Sequence, residues 1–598
     1  MSQLYGYHGR MLVVDLGACR FHEERLPPDV LRATIGGTGL ATYLLYRFAP
    51  PGVDPLSPGN PLIFVNSPLV GTAVTTSSKY TVIAKSPLTG FVGDSLSSSH
   101  MAVELKRTGF DAIVLTGASA AWTYVLVDDE GVQFLDASSL AGLDPVQTEA
   151  DIRQAAGDPH IRVAAIGLAG ERGVRYATIS NDGRHAGRTG TGAVMGAKRL
   201  KALAVRGHLR TEVAEPRQLQ IVRKRLAERS FGHATEKYRT LGTTANLAVF
   251  NRLGALPSYN FRQSTFEAAE QVSGEHLHSE RHERSVTCAS CTIGCEHLFR
   301  SGDKAGRMEY ESLYALGPLC GVSDLDTVLA AAALCDSYGI DTISTGATIA
   351  WAMESAERGL IDAPALRFGN GQALLGMVEA IAHREGVGDL LAEGTQRAAA
   401  QTGGGSNAWA MHVKGLEMPG YEPRSLKTMA LGLAVGPRGA CHNRSSAYEA
   451  DFSDEVDRLR SNGPRGQIAA ASEDRSAVID SLILCKFVRR CLEDFYPEAG
   501  ELYQLVTGWD VDLRAAGERI SNLKKLFNLR EGWTRADDSL PPRVLSEPLP
   551  TGVASGTTLT PAELDTMIAS YYAARGWTPE GAIPNEKLDA LGLAQLLS

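Results

Sequence analysis

Lys201-Ala-Leu-Ala-Val205, followed by Pro216-Arg-Gln-Leu-Gln-Ile-Val-Arg-Lys-Arg-Leu-Ala-Glu-Arg-Ser230, marks the change of texture that decides the fold. The first piece ends a series of short β-prone runs. The second is the first of many long segments with apolar residues at helical spacing. Upstream, runs at 11–16, 61–65, 80–84, 111–116, 124–128, 161–166 and 174–179 are bounded mostly by Gly, Pro, Ser and Asp, as strands are. Helical patterns interrupt them at 28–48 and 100–108. Downstream, 324–337, 344–359, 371–384, 476–487 and 561–575 read as helices, and 453–473 and 535–560 as long loops. The expectation is an α+β protein: a β-rich N-terminal domain (1–210) packed on a large, mainly α-helical two-domain body (211–415 and 416–598).

Composition narrows the function. Of 598 residues, 44% are hydrophobic and 21% charged, the balance of a globular chain with a large core. Lys+Arg 59 against Asp+Glu 68 gives a net charge of −9, so no bulk field attracts nucleic acid or an anionic membrane. The start, Met1-Ser-Gln-Leu-Tyr-Gly-Tyr-His-Gly-Arg10, has no basic stretch leading into an apolar one, and the apolar run 328–335 is far shorter than a membrane span. A soluble cytoplasmic protein is expected.

The sharpest local signal is Cys288-Ala-Ser-Cys291-Thr-Ile-Gly-Cys295, spaced C-x2-C-x3-C. Three thiolates in eight residues can cap one face of an iron–sulfur cluster whose fourth ligand comes from elsewhere. Zinc and three buried free thiols are the rival readings. Nine cysteines, an odd number, argue against a disulfide framework. Two later segments resemble one another: Cys335-Asp336-Ser-Tyr-Gly339-Ile-Asp341 and Asp480-Ser-Leu-Ile-Leu484-Cys485. Each offers a carboxylate and a turn at a helix C-terminus, suited to a two-lobed ligand with amine edges, or to simple capping. Gly187-Arg-Thr-Gly-Thr-Gly192 could cradle a phosphate but lacks the context of a dinucleotide site. Arg424 and Arg438 could bind an anionic substrate or form salt bridges.

Further stretches occur in fixed order: Gly36-Gly-Thr-Gly-Leu40, Ala84-Lys-Ser-Pro-Leu-Thr-Gly90, Gly93-Asp-Ser95, Ala186-Gly-Arg-Thr-Gly190, Glu309-Tyr-Glu311, Gly415-Leu-Glu-Met-Pro-Gly-Tyr421, Pro437-Arg-Gly-Ala-Cys-His442 and Asn528-Leu-Arg-Glu-Gly532. With the cysteine run and the two Asp segments, they make the whole chain resemble the aldehyde:ferredoxin oxidoreductase family. Its members carry tungsten, sometimes molybdenum, on two pterins (a bis-molybdopterin) beside one [4Fe–4S] cluster.

The resemblance implies that Cys288, Cys291, Cys295 and Cys485 hold the cluster. Asp336, Gly339 and Asp341 would contact one pterin, and Asp480 and Leu484 the other. The stretches Asp94-Ser95-Leu96 and His185-Ala186-Gly187-Arg188 would belong to the cofactor cradle, with the main-chain carbonyls of Leu96 and Ala186 on a magnesium ion between the pterin phosphates. Lys79 falls where the family usually has an Arg between cluster and pterin; His185 replaces another usual Arg, Ile483 a usual Gly, and Leu96-Ser-Ser-Ser99 a usual Asn-Ser-Gly-Gly. Glu311 and His442 match the family's active-site carboxylate and histidine. The function implied is oxidation of an aldehyde to an acid, or the reverse, with a ferredoxin or iron–sulfur subunit as partner, in a homo- or hetero-oligomer. Reduction of an aromatic acyl thioester, as in other members of the family, is a second reading. An electron-wiring subunit that has lost its pterin is a third.

Overall fold

The computed structural model describes residues 4–302 and 304–597; residues 1–3 of the stretch inspected for a leader lie outside it. In the head, β1 (Arg10–Asp15), β2 (Arg20–Arg25), β3 (Leu62–Val65), β4 (Lys79–Lys85), β5 (Val92–Ser98) and β6 (Ala112–Thr116) form one sheet, ordered β2-β1-β6-β3-β4-β5. A second sheet contains β7 (Thr123–Asp128), β8 (Gly131–Asp136), β9 (Arg162–Ala165), β10 (Ile179–Asn181), β11 (Arg184–Ala186) and β12 (Leu200–Val205), ordered β11-β10-β9-β12-β7-β8. All pairings are antiparallel except β1 with β6 and β7 with β12.

The sheets stack face to face. Leu12, Val14, Val82, Val125, Val127 and Leu203 share one core. The alternate residues Met11, Val13 and Ile83 point the other way, onto helices Gly37–Phe48 and Leu513–Arg530. On the far side, Tyr124, Leu126 and Val163 pack on Ile152 of helix Pro145–Ala156. Strands covered on both faces read as continuous apolar runs, which is why they were visible in the sequence.

The body is helical, as expected. Helices Tyr310–Leu316, Leu325–Tyr338, Thr342–Glu357, Gly371–His383, Lys427–Val435 and Pro561–Arg575 contribute to one large core. A small antiparallel sheet, β13 (His282–Val286), β14 (Glu296–Ser301) and β15 (Lys304–Arg307), stands among them and carries the cysteine run between its first two strands.

Four readings need correction. The run 174–179 is not a strand; only Ile179 enters β10, while Val174, Tyr176 and Ala177 fill the body core. The pattern at 28–48 is two helices, Pro28–Thr34 and Gly37–Phe48, broken by left-handed Ile35 (φ 54°) and by Gly36 (φ 94°). The helix read at 476–487 runs over Arg465–Leu482, so it takes up the end of the supposed loop 453–473 and stops short of Cys485. Its first turns approach helix Pro561–Arg575 through Gly466, where a Cβ would lie 2.4 Å from Ser570, so close packing replaces the large apolar residues that periodicity needs. The loop read at 535–560 contains the short helix Pro542–Ser546.

Candidate functional site

The cysteine run lies in the loop joining β13 to β14, where Ser290 (φ 52°) and Gly294 (φ 60°) turn the chain. Cys291 N–H donates to the Cys288 carbonyl at 3.2 Å. One main-chain residue of the head laces this loop to the fourth cysteine. Thr76 N–H donates to the Ser290 carbonyl at 2.8 Å, and Cys485 N–H donates to the Thr76 carbonyl at 3.1 Å. Thr75 Oγ1 accepts from Thr292 N–H at 3.1 Å. Cys288, Cys291, Cys295 and Cys485 thereby line one cavity of about 210 Å³.

All nine cysteines are unpaired; Cys320 and Cys335 are buried in the body core, and Cys491 packs beside the head. Among the described residues, no three of the four cavity sulfurs lie within 4.8 Å of one another. A single zinc ion would need its sulfurs about 3.8 Å apart, given its ~2.3 Å bonds. The set suits something larger than one ion. Burial pushes the Cys291 and Cys295 thiols up. Lys79, at the start of β4, is half-buried facing Cys485, Cys288, Cys295 and Asp480. Burial alone would lower its ammonium, and those groups raise it on balance.

Beyond Lys79 opens a cavity of about 830 Å³. Lys79, Glu309, Cys485 and Phe487 line both spaces. Ser95, Leu96, Gly187, Arg188, Glu311, His442 and Asp480 line the larger one. Its walls hold eight cationic side chains against four carboxylates, the reverse of the chain's acidic balance.

Glu311 stands in the first turn of helix Tyr310–Leu316. His442 opens the short helix His442–Ser445. The two are distant in sequence, yet Glu311 Oε1 lies 3.3 Å from His442 Nδ1. The approach is off the line of a hydrogen bond, so both atoms stay unpartnered. Gly420-Tyr421 seats the pair. Gly420 N–H donates to Glu311 Oε2 at 2.9 Å, and the Tyr421 ring stacks on the imidazole with centroids 5.0 Å apart. A Cβ at Gly420 would lie 2.8 Å from the Tyr310 hydroxyl and from the Tyr314 ring, so only glycine fits. Burial pushes the Glu311 carboxyl up to about 8, against the pull of Gly420 N–H and Arg188. Burial, then Arg188, Arg438, Lys486 and Arg444, holds His442 well below the usual imidazole range.

The remaining expected residues are not in the cavity wall. Asp94 is buried under Arg444 (2.7 Å to Nε) and Lys524 (3.0 Å), which overcome its burial and hold it well below the usual carboxylate range. Asp341 caps helix Thr342–Glu357 and accepts from Arg188 Nε at 3.2 Å. Asp336 and His185 pair with each other at 3.2 Å. Gly339 and Ile483 are the left-handed caps of the two Asp-bearing helices, at φ 71° and 63°, and Leu484 follows in the second cap turn. Ala186 ends β11 ahead of Gly187. Asp480, which does stand in the wall, pairs with Arg444 Nη1 at 2.9 Å.

Sequence reasoning missed Arg444, Lys486 and Tyr421. The first two are isolated cations whose only signal is burial beside Asp94 and Asp480. Arg438 reaches the cavity, whereas Arg424 is a core ion pair with Glu422 at 2.7 Å. Of the two glutamates flanking Tyr310, both face the cavity; Glu309 accepts from Thr243 Oγ1 at 2.5 Å.

A chamber walled by four thiols adjoins a cationic chamber in which a carboxyl meets an imidazole, and known proteins show that this is the architecture of an oxidoreductase. The family pattern described as "Aldehyde ferredoxin oxidoreductase, N-terminal domain" matches residues 11–207, and that described as "Aldehyde ferredoxin oxidoreductase, domains 2 & 3" matches 220–593. The chain belongs to this family of enzymes. It is 39% identical to the tungsten-containing aldehyde ferredoxin oxidoreductase of Pyrococcus furiosus, over 99% of this chain and 100% of that one. The corresponding protein of Pyrococcus abyssi is 38% identical with the same coverage. Among solved structures, the active site complex BamBC of benzoyl coenzyme A reductase, in complex with 1,5-dienoyl-CoA, matches with TM-score 0.86 and 25% identity, over 100% of this chain and 98% of that one.

Proposed function

We propose that this chain interconverts an aldehyde and its carboxylic acid at a tungsten or molybdenum bis-pterin centre, passing electrons through one [4Fe–4S] cluster to a ferredoxin-like partner. The observation that carries the reading is the shared wall. Glu311 and His442 meet in a cavity whose Lys79–Cys485 side is also the wall of the four-cysteine chamber.

The residues fit both groups. Four unpaired thiols around one small chamber suit an iron–sulfur cube better than a single ion. In and beside the larger space, Asp94 Oδ1, Arg438 Nε, Glu311 Oε1 and His442 Nδ1 are buried without hydrogen-bond partners, donors and acceptors awaiting a polar ligand. In this reading Cys288, Cys291, Cys295 and Cys485 ligate the cluster. Asp336, Gly339 and Asp341 serve one pterin; Asp480 and Leu484 serve the other. Ser95, Gly187 and Arg188 belong to the cradle, with Asp94 and His185 behind it, and Leu96 and Ala186 offer carbonyls to a magnesium ion. Lys79 sits between the two groups. Bound there, the bis-pterin centre and cluster would accept an electron pair and release it singly.

Oxidation of RCHO with H₂O gives RCOOH, two electrons and two protons. The chain's part is to place the carbonyl, admit one water and manage those protons. Ionised Glu311 takes a proton from water at Oε1 as the water oxygen adds to the carbonyl carbon. His442, too weak a base to take that proton from Glu311, keeps a neutral ring that orients the carbonyl and the water, and Glu311 releases its proton to solvent before the next turnover. A carboxyl poised near 8 is matched to this work near neutrality.

The structural likeness to benzoyl coenzyme A reductase favours a second reading, reduction of an aromatic thioester. Elemental analysis and dye-reduction assays separate the readings. Tungsten or molybdenum with about four irons per chain, and aldehyde-dependent dye reduction, is the expected result. Iron without the second metal would leave an electron-wiring subunit. Activity only with an aromatic acyl thioester would replace the aldehyde.

A further inference from the structure

Away from both chambers, His278, His282 and His297 converge. Each offers a ring nitrogen, and the three nitrogens lie within 4.8 Å of one another. Among the described residues this is the one group of three or more His, Cys, Asp or Glu side chains gathered so closely. Three elements supply it. His278 is in the last turn of helix Gly274–Arg281, His282 begins β13, and His297 is in β14. His278 and His282 stand one helical turn apart, an H-x3-H spacing that zinc sites use, and their rings stack with centroids 4.2 Å apart.

The hydrogen bonds around His297 give it the tautomer a metal ligand needs. Its Nε2 faces the Tyr238 carbonyl at 3.2 Å, which fixes the proton there and leaves Nδ1 as the lone-pair nitrogen. That Nδ1 is 3.1 Å from Ser285 Oγ, which is also 3.3 Å from His282 Nε2. A hydroxyl, or a water replacing it, therefore stands within reach of two of the three rings, as an oxygen ligand would. Zn–N bonds of about 2.0–2.1 Å put ligand nitrogens about 3.4 Å apart, a contraction that small ring rotations supply.

We propose that His278, His282 and His297 form a second metal site, for a divalent ion of the zinc class. It would clip the helix before β13 to the two strands that carry Cys288, Cys291 and Cys295. Three imidazoles with an oxygen suit zinc, and its usual surrogate cobalt(II), better than calcium or magnesium.

The test uses the purified holoenzyme, dialysed anaerobically against chelator and then given Co²⁺. Zinc plus cobalt per chain is counted, and the visible cobalt absorption recorded. Wild type should hold one more equivalent of zinc plus cobalt than His278→Ala/His282→Ala, and Zn²⁺ should bleach any cobalt band. His276→Ala, on the same helix but outside the group, should behave as wild type. Both replaced residues are only half-buried, and unchanged iron content will confirm that the variant folds; His282→Gln alone serves if it does not. Equal metal in wild type and variant, or loss of the extra equivalent in His276→Ala, overturns the site.

Discussion

At the scale of single residues, the meeting of Glu311 with His442 is the most consequential finding. Glu311 is protonated below about 8, so a step that needs it as a base should quicken as pH rises toward that value. The expected profile climbs about tenfold per pH unit on its acid side and levels beyond about 8. In Glu311→Gln that limb should vanish, and turnover should fall by roughly 100- to 10,000-fold with metal and iron content unchanged. His442→Ala should show a similar loss. Steady-state rates from pH 5.5 to 9.5 decide the matter, and a full-speed variant with the wild-type profile excludes that residue from the reaction. The same shift has a stability sign. A carboxyl raised from 4.5 to about 8 on folding favours the native state below pH 4.5, and that advantage is lost as pH climbs through 8. Both residues could be picked out in the sequence only through the motifs around them. Their meeting at 3.3 Å could not, because it depends on Gly420 and Tyr421, which carry no chemistry of their own.

At the scale of elements, what was legible follows packing. Strands buried on both faces and long amphipathic helices announced themselves. β2, an edge strand of sequence RFHEER, did not, because edge strands carry charge for negative reasons. β5 did not either: its Asp94 pairs with Arg444 and Lys524, its Ser95 and Leu96 line the larger cavity, and the apolar pattern yields there. The Asp-bearing helix ends were legible as a pair, yet one cap is Ile483 in a left-handed turn that usually costs about 1–2 kcal/mol for a residue with a Cβ. Its buried side chain in the core between the sheets offsets that cost. The lacing through Thr76 brings Cys485 to the cavity of the cysteine run, whereas Cys491 packs beside the head. Cys485→Ala should lose the cluster's visible absorption or leave a three-iron form, whereas Cys491→Ala should keep the wild-type spectrum and iron. The reverse pattern would reassign the fourth thiol.

At the scale of the molecule, head and body are joined at a buried guanidinium. Arg188 leaves the second sheet and donates to Asp341 at 3.2 Å, to the Ala440 carbonyl at 2.7 Å and to the Glu417 carbonyl at 2.6 Å. A planar fork reaching three acceptors in different directions is something Lys cannot reproduce. Arg188→Lys should therefore loosen the Pro437–His442 loop, with faster hydrogen exchange over 437–445 and lower pterin content. Arg188→Ala, which strands Asp341, should cost about 3–5 kcal/mol. Exchange no faster than wild type in either variant would show that the junction rests on other contacts. No helix of the described residues is long and apolar enough to cross a membrane.

The four-thiol chamber also has a history within each round of synthesis. Its walls come from Thr76 and Lys79, from the 288–295 loop and from Cys485, so it does not exist until most of the chain has left the ribosome. At roughly 5–20 residues per second, the three loop thiols emerge about 10–40 s before the fourth. During that interval they are an open, unfinished claw, exposed to oxidants and to stray thiophilic ions. The four-thiol chamber is complete only once Cys485 arrives.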